Sequence, residues 1–146
     1  MAEVRRDTRQ RKLVLDVAQR FKIHPTAEEV YQLVQKEHPS ISLGTVYRNL
    51  NVLVEQGELV RINVPGSDRF DSRTDPHYHM ICRRCGRVFD VEERYMPRIH
   101  EQAGKHSVHR IEGHTILFQG ICADCQEKEG REKGQQQEQP FDSSKG

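Results

Sequence analysis

Residues 26–57, TAEEVYQLVQKEHPSISLGTVYRNLNVLVEQG, decide the fold of this chain. Thr26 is followed three residues later by Glu29, the sequence form of a capping box that opens a helix. Ala27, Val30, Tyr31 and Val34 recur at helical spacing and form its apolar face, with Pro39 just beyond its end. Ser42 can then cap a second helix whose Val46, Leu50, Leu53 and Val54 face inward, and Gly57 closes it. Upstream, Leu13, Val14, Val17, Ala18 and Phe21 predict an amphipathic helix over about residues 10–21. Downstream, ELVRINVPGSDRFD (58–71) alternates strand-like residues around a Pro65-Gly66 turn. Three helices followed by a hairpin is the layout of a winged helix-turn-helix.

The linker SRTDP (72–76) leads to a second unit. HYHMIC (77–82) and RVFDVE (87–92) read as short strands, MPRIHEQAGKH (96–106) as a weak helix, and SVHRIEGHTILFQGIC (107–122) as one or two strands. The fold class expected is α+β: a winged helix over 1–72, a small zinc-stapled α/β dimerisation domain over 73–127, and a disordered tail over 128–146. The tail expectation rests on residues 126–146, rich in Gln, Glu, Lys, Gly and Ser with almost nothing to bury.

All four cysteines fall in two Cys-x-x-Cys pairs, Cys82/Cys85 and Cys122/Cys125. Four thiolates in two close pairs match the tetrahedral demand of Zn²⁺, and Gly86 supplies a residue that tolerates positive φ after the first pair. Two redox disulfides are the competing reading, although thioredoxin-like chemistry needs only one such pair. With 146 residues, 34% hydrophobic and no Trp, two small domains have thin cores, so a metal staple and dimerisation become sources of stability. A formal net charge of +1 does not advertise a nucleic-acid partner. Its distribution says more, because Arg5, Arg6, Arg9, Arg11 and Lys12 crowd the N-terminal stretch. No apolar run approaches a membrane span and no apolar signal core opens the chain, which points to the cytoplasm, where thiols stay reduced.

In a helix-turn-helix the second helix enters the major groove with its N-terminal residues at the base edges. Ser42, Thr45, Tyr47 and Arg48 are the candidate DNA contacts, with Leu43, Gly44 and Asn51 also on the outward side. Arg48 can fork onto a guanine or a phosphate. A solvated helix in a protein-binding winged domain is the alternative. His77 and His79 sit at i and i+2, so on a strand both imidazoles leave one face. Asp90, in the following strand, can join them if the strands pair, and Asp71 stands at the interdomain junction. Mixed imidazole and carboxylate ligands suit Fe²⁺, Mn²⁺ or Zn²⁺.

Six stretches carry a resemblance: TRQR (8–11), HPTAEEVY (24–31), TVYRNL (45–50), RFD (69–71), HYHMICRRCG (77–86) and GICADC (120–125). In this order they resemble the ferric uptake regulator family of metal-dependent repressors, and within it most nearly the peroxide-responsive members. The resemblance implies a homodimer that binds a palindromic double-stranded DNA operator. It implies structural zinc on Cys82, Cys85, Cys122 and Cys125, and a regulatory Fe²⁺ or Mn²⁺ on His24, Asp71, His77, His79 and Asp90. Iron-sensing relatives typically carry glutamate at the position of Asp90, whereas peroxide sensors carry aspartate. A further metal site of many members is not expected, since Pro76 and Tyr78 stand beside the histidines where ligands would be needed. For the peroxide sensors the resemblance implies oxidation of a ligand histidine, here His24 or His77, followed by release of DNA. An iron- or zinc-availability repressor without peroxide chemistry is the alternative. A metal-dependent hydrolase is the remote one, because no spare carboxylate stands near the histidines to serve as acid or base.

Overall fold

Thr26 takes extended backbone and accepts from Glu29 N–H at 3.2 Å, while the Glu29 carboxylate accepts from Thr26 N–H at 3.0 Å. Both bonds of the predicted capping box are therefore made, and they start α2 (Ala27–Glu37). Ser42 caps α3 (Leu43–Glu55) through its hydroxyl, and Gly57, at φ +76°, closes the turn that follows. Ahead of them lies α1 (Ala2–Arg20). The hairpin β1 (Val60–Ile62) and β2 (Arg69–Asp71) completes this half. In this computed structural model residues 2–135 are described, with side chains from 8 to 132.

Val14 and Val17 of α1, Val30 and Val34 of α2, and Val46 and Leu50 of α3 are fully buried and meet in one core. Phe70 of β2 closes it from the hairpin side. Each such side chain contributes about 1.5–3 kcal/mol on burial, so this half has a sizeable core of its own. The apolar spacing located α1 only where it packs. The helix begins at Ala2 rather than near residue 10, because the mostly charged sequence ahead of Gln10 has no apolar period to register.

The second half is a three-stranded sheet in the order β4-β3-β5, with β3 (Tyr78–Cys82) antiparallel to β4 (Val88–Val91) and parallel to β5 (Leu117–Gly120). One register position matters most: His79 lies directly opposite Asp90. α4 (Arg98–Lys105) and the irregular run 106–116 connect the outer strands, so residues 107–122 contribute one strand. The buried cluster here consists of Cys82, Cys122 and Cys125, flanked by the partly buried Met80, Phe89 and Ile121.

The expected tail over 128–146 is corrected in its first part, because α5 spans Ala123–Gln135. Composition offered nothing to bury, but the helix is held by charge. Arg84 pairs with Glu129 at 3.2 Å and with Glu132 at 2.8 Å, and Glu127 pairs with Arg131 one turn on. The remainder of that expectation, 136–146, lies outside the described residues. Among the described residues no helix is long and apolar enough to cross a membrane.

Candidate metal centres and recognition helix

The four cysteines are free thiols, and their Sγ atoms lie within 4.8 Å of one another. Cys85 Sγ and Cys122 Sγ are 3.8 Å apart. A tetrahedron with metal–sulfur bonds of about 2.3 Å has edges of about 3.8 Å, so the donor set fits Zn²⁺ rather than a pair of disulfides. Burial pushes the Cys82 thiol up, but backbone N–H groups of Cys122 and Cys85 outweigh it and bring it down to about 6. Burial and the neighbouring thiols push Cys125 up to about 12. The four groups thus cannot all ionise together unless a cation compensates them. Arg87 supplies partial compensation, donating from Nε to Cys85 at 3.2 Å and from Nη2 to Cys122 at 3.7 Å.

The second centre draws on four segments. His24 comes from the α1–α2 connection, Asp71 from the end of β2, His77 from the residue just ahead of β3 and His79 from β3 itself, and Asp90 from β4. Donor atoms of His24, Asp71, His79 and Asp90 lie within 4.8 Å of one another. His24 Nε2 is 2.7 Å from Asp90 Oδ1 and 3.5 Å from Asp71 Oδ2. His77 Nε2 is 2.8 Å from Asp71 and 3.0 Å from Asp90, and His79 Nε2 is 2.9 Å from Asp71. Asp71 is 2% exposed and His79 9%, whereas Asp90 opens to solvent.

Three imidazole nitrogens therefore converge on two carboxylates. His77 Nδ1 lies 2.6 Å from the Asp75 carbonyl oxygen, which requires the proton on Nδ1. In a neutral His77 the Nε2 lone pair then faces two carboxylate oxygens. Burial lowers the His77 pKa, but the bonds to Asp75 and Asp71 and the nearby Asp90 charge raise it on balance, so a proton on Nε2 is one way to satisfy them. A divalent cation is the other, and the carbonyl on Nδ1 is the usual outer partner of a metal-bound imidazole. His77 nevertheless stands outside the mutually close group of His24, Asp71, His79 and Asp90 and meets only the two carboxylates. Burial raises the Asp71 carboxyl, yet hydrogen bonds from His79 and from Arg73 N–H, with the His24 charge, hold it down at about 2. It is ready to ligate across the physiological range. The nitrogen and oxygen donors fit Fe²⁺, Mn²⁺ or Zn²⁺.

On α3, Ser42 and Thr45 bond to each other at 2.9 Å, so their hydroxyls first serve the helix start. The Tyr47 hydroxyl donates to Glu28 of α2 at 2.8 Å, which raises its pKa and leaves the half-exposed ring available. Arg48 and Gly44 are exposed on the outward side. Asn51 accepts from the Arg61 guanidinium, which also lies over Phe70 and so ties β1 to the recognition helix. Tyr78 is fully buried, and its hydroxyl meets His114 Nε2 at 2.8 Å and accepts from Met96 N–H at 3.0 Å. His100 occupies the other nitrogen of His114 at 2.8 Å. Among the described residues only the two groups above converge as metal donors.

The ferric uptake regulator family model matches residues 3–119. The chain belongs to the ferric uptake regulator family. It is 34% identical over 124 residues to the peroxide-responsive repressor PerR of Staphylococcus saprophyticus, covering 84% of each chain. PerR of Staphylococcus aureus strain NCTC 8325 matches with the same identity and coverage. Among solved structures, the peroxide stress regulator of Campylobacter jejuni superposes with a TM-score of 0.69 at 34% identity, covering 82% of this chain and 91% of that one. The ferric uptake regulator of Helicobacter pylori superposes at 0.68 over 81% and 80% of the two chains, and at 22% identity it speaks to the fold alone.

Two side chains that tie segments of this chain together carry no signal in the sequence that singles them out. Arg61 is one of several basic residues in an alternating strand and carries no local signal. Arg69 stands in the RFD stretch, where position was the available hint, but its partners come from three segments.

Proposed function

We propose that the chain is a metal-dependent transcriptional repressor whose DNA binding ends when peroxide oxidises a histidine of the mixed metal centre. The observation that carries this reading is that His24, from the winged half, lies 2.7 Å from Asp90 of the sheet half. One cation held by His24, Asp71, His77, His79 and Asp90 fixes the angle between a recognition helix and a dimerisation unit. Two half-sites on a duplex must match the spacing of two recognition helices, so occupancy couples to operator affinity. The peroxide part is supported by Asp90 in place of glutamate and by the 34% identity to repressors named for that response.

Residues 1–72 serve as the DNA-reading unit and residues 73–127 as the pairing unit of a homodimer. Met96, Ile99, Val108, Ile111 and Phe118 are exposed apolar side chains, all in the sheet half, which supports pairing through that half. Zn²⁺ on the four thiolates holds the pairing unit together, and the protein works in the cytoplasm on a palindromic operator. Ser42, Thr45, Tyr47 and Arg48 face the major groove.

Bound Fe²⁺ supplies the one-electron chemistry that activates H₂O₂, which Mn²⁺ lacks in this setting. His24 and His77 are the imidazoles exposed to the result. In net balance, one oxygen of H₂O₂ ends on a ring carbon and the other leaves as water, a two-electron oxidation of the histidine. A cleft of about 690 Å³ between β1 and the sheet, lined by Arg61, Asn63, His77, His79 and Tyr95, admits a molecule of that size. An oxidised His24 no longer grips Asp90's side of the site, and the two halves come free.

Exposure to Fe²⁺ and H₂O₂ is expected to add one oxygen to His24 or His77, read by peptide mass spectrometry, and to abolish operator binding. Mn²⁺-loaded protein is expected to stay bound and unmodified. Unmodified histidines and retained DNA binding with Fe²⁺ would leave a plain metal-availability repressor. Arg48→Ala is expected to weaken operator binding by about 1–3 kcal/mol if the guanidinium reads a base. A phosphate contact instead predicts a uniform loss across sequences and a shallower salt dependence. Unchanged binding in both titrations would remove this helix from the interface.

A further inference from the structure

His24 hangs from an irregular connection, yet it must reach across to a strand of the other half. Arg69 accounts for how it is held. Its Nη1 donates to the His24 carbonyl oxygen at 2.9 Å and to Glu29 Oε1 at 3.3 Å, and its Nη2 donates to the Gly86 carbonyl oxygen at 3.2 Å. Glu29 is also the carboxylate of the α2 capping box, and Gly86 closes the Cys82–Cys85 turn by donating to the Cys82 carbonyl at 2.9 Å. Backbone pairing of Thr26 with Arg69, and the Phe70 N–H to Pro25 carbonyl bond at 2.9 Å, bring the same segments together. The guanidinium is 13% exposed, so these charge-assisted bonds are weakly screened.

We propose that Arg69 is the positioning residue of the mixed histidine–carboxylate centre, holding His24 at a set offset from the four-cysteine turn. It donates to backbone carbonyls and to Glu29 rather than to the imidazole and carboxylate donors themselves. Its effect on cation affinity therefore runs through His24. The planar fork is essential, because the three bonds leave from two separate nitrogens in a fixed plane, a spread that one ammonium nitrogen does not reproduce. A consequence is that the two metal centres are energetically linked: the turn that carries Cys82 and Cys85 is the far anchor of the arm that carries His24.

The inference rests on the divalent-cation reading of that centre, and the test separates the two. Mn²⁺ is titrated into the zinc-loaded, full-length chain by calorimetry, for the unsubstituted protein, Arg69→Met, Arg69→Lys, His24→Ala and the double variant Arg69→Met/His24→Ala. Zinc content and far-ultraviolet circular dichroism are recorded for each. Arg69→Met is expected to weaken Mn²⁺ binding by up to about 10-fold, the lower end of what removing a direct outer partner of a metal ligand costs, because it acts on His24 through the backbone. Arg69→Lys is expected to lose nearly as much, and it keeps the charge and stem packing should the methionine variant fold poorly. In the His24→Ala background, Arg69→Met is expected to cost nothing further. Additive losses in the double variant would reduce Arg69 to a general stabiliser, and full affinity in Arg69→Lys would reduce it to a nearby charge. Either result overturns the proposal while leaving the metal centre standing. Failure of the unsubstituted chain to take Mn²⁺ would overturn both.

Discussion

Cys122→Ser is expected to release zinc and unfold the sheet half while the helical half keeps its structure. The reason lies in how little else is buried there. The second core cluster consists of Cys82, Cys122 and Cys125 with three partly buried neighbours. Tyr78 and Val88 are the other buried apolar side chains described in this half, whereas the first cluster draws on all three N-terminal helices and the hairpin. Structural zinc contributes about 10–16 kcal/mol of apparent binding free energy at neutral pH, comparable to the whole stability of a typical domain. Cys122 also donates its N–H to Cys82 Sγ at 3.3 Å and directly follows the segment of β5 that pairs with β3. Losing its thiolate leaves three ligands, with Cys125 alone joining the second pair to the first. Zinc per chain, far-ultraviolet circular dichroism and sedimentation would read the outcome. A folded Cys122→Ser dimer holding one zinc per chain would show the four-thiolate assignment to be wrong.

His77→Ala and Asp71→Ala are each expected to abolish metal-dependent operator binding without loss of zinc. Asp71 Oδ2 is the common partner of His77 at 2.8 Å and His79 at 2.9 Å. Its removal leaves three imidazoles with only the solvent-open Asp90 as counter-charge. His77 is the imidazole whose Nδ1 is tied to the Asp75 carbonyl, which leaves Nε2 toward Asp71 and Asp90, so its removal deletes a donor aimed at both carboxylates. Neither residue touches the four cysteines, and zinc content and dimerisation should stay unchanged. The conservative change Asp90→Glu separates repression from sensing. It keeps a carboxylate opposite His79 but moves the oxygens outward by one methylene, altering the geometry offered to Fe²⁺. Repression with Mn²⁺ is expected to persist and peroxide sensitivity to fall sharply, read by operator binding after graded H₂O₂. Full metal-dependent DNA binding by Asp71→Ala would place the regulatory cation elsewhere.

Features that depend on near neighbours along the chain are legible in the sequence itself. The capping box at Thr26 and Glu29, the Ser42 cap and the Gly57 stop each act over three or four residues, where the chain itself sets the geometry. The two Cys-x-x-Cys turns likewise present their thiols locally, and four of them in one short chain nominate a metal. The spacing of His77 and His79 announces a shared face. A helix held by charge is not legible in the same way: α5 runs to Gln135 through ion pairs with Arg84, a residue far upstream, and composition alone cannot register such partners.

What the sequence by itself determined was therefore the elements other than α5, the caps that bound α2 and α3, and the chemistry of the donors. Only the tertiary structure decided how those donors meet. The strand register sets His79 against Asp90, and packing of the helical core on β2 carries Asp71 beneath both histidines. Arg69 then swings the His24 connection toward the cysteine turn. These meetings join residues up to 66 positions apart. Their geometry follows from how one packed surface fits another, and local spacing does not encode that.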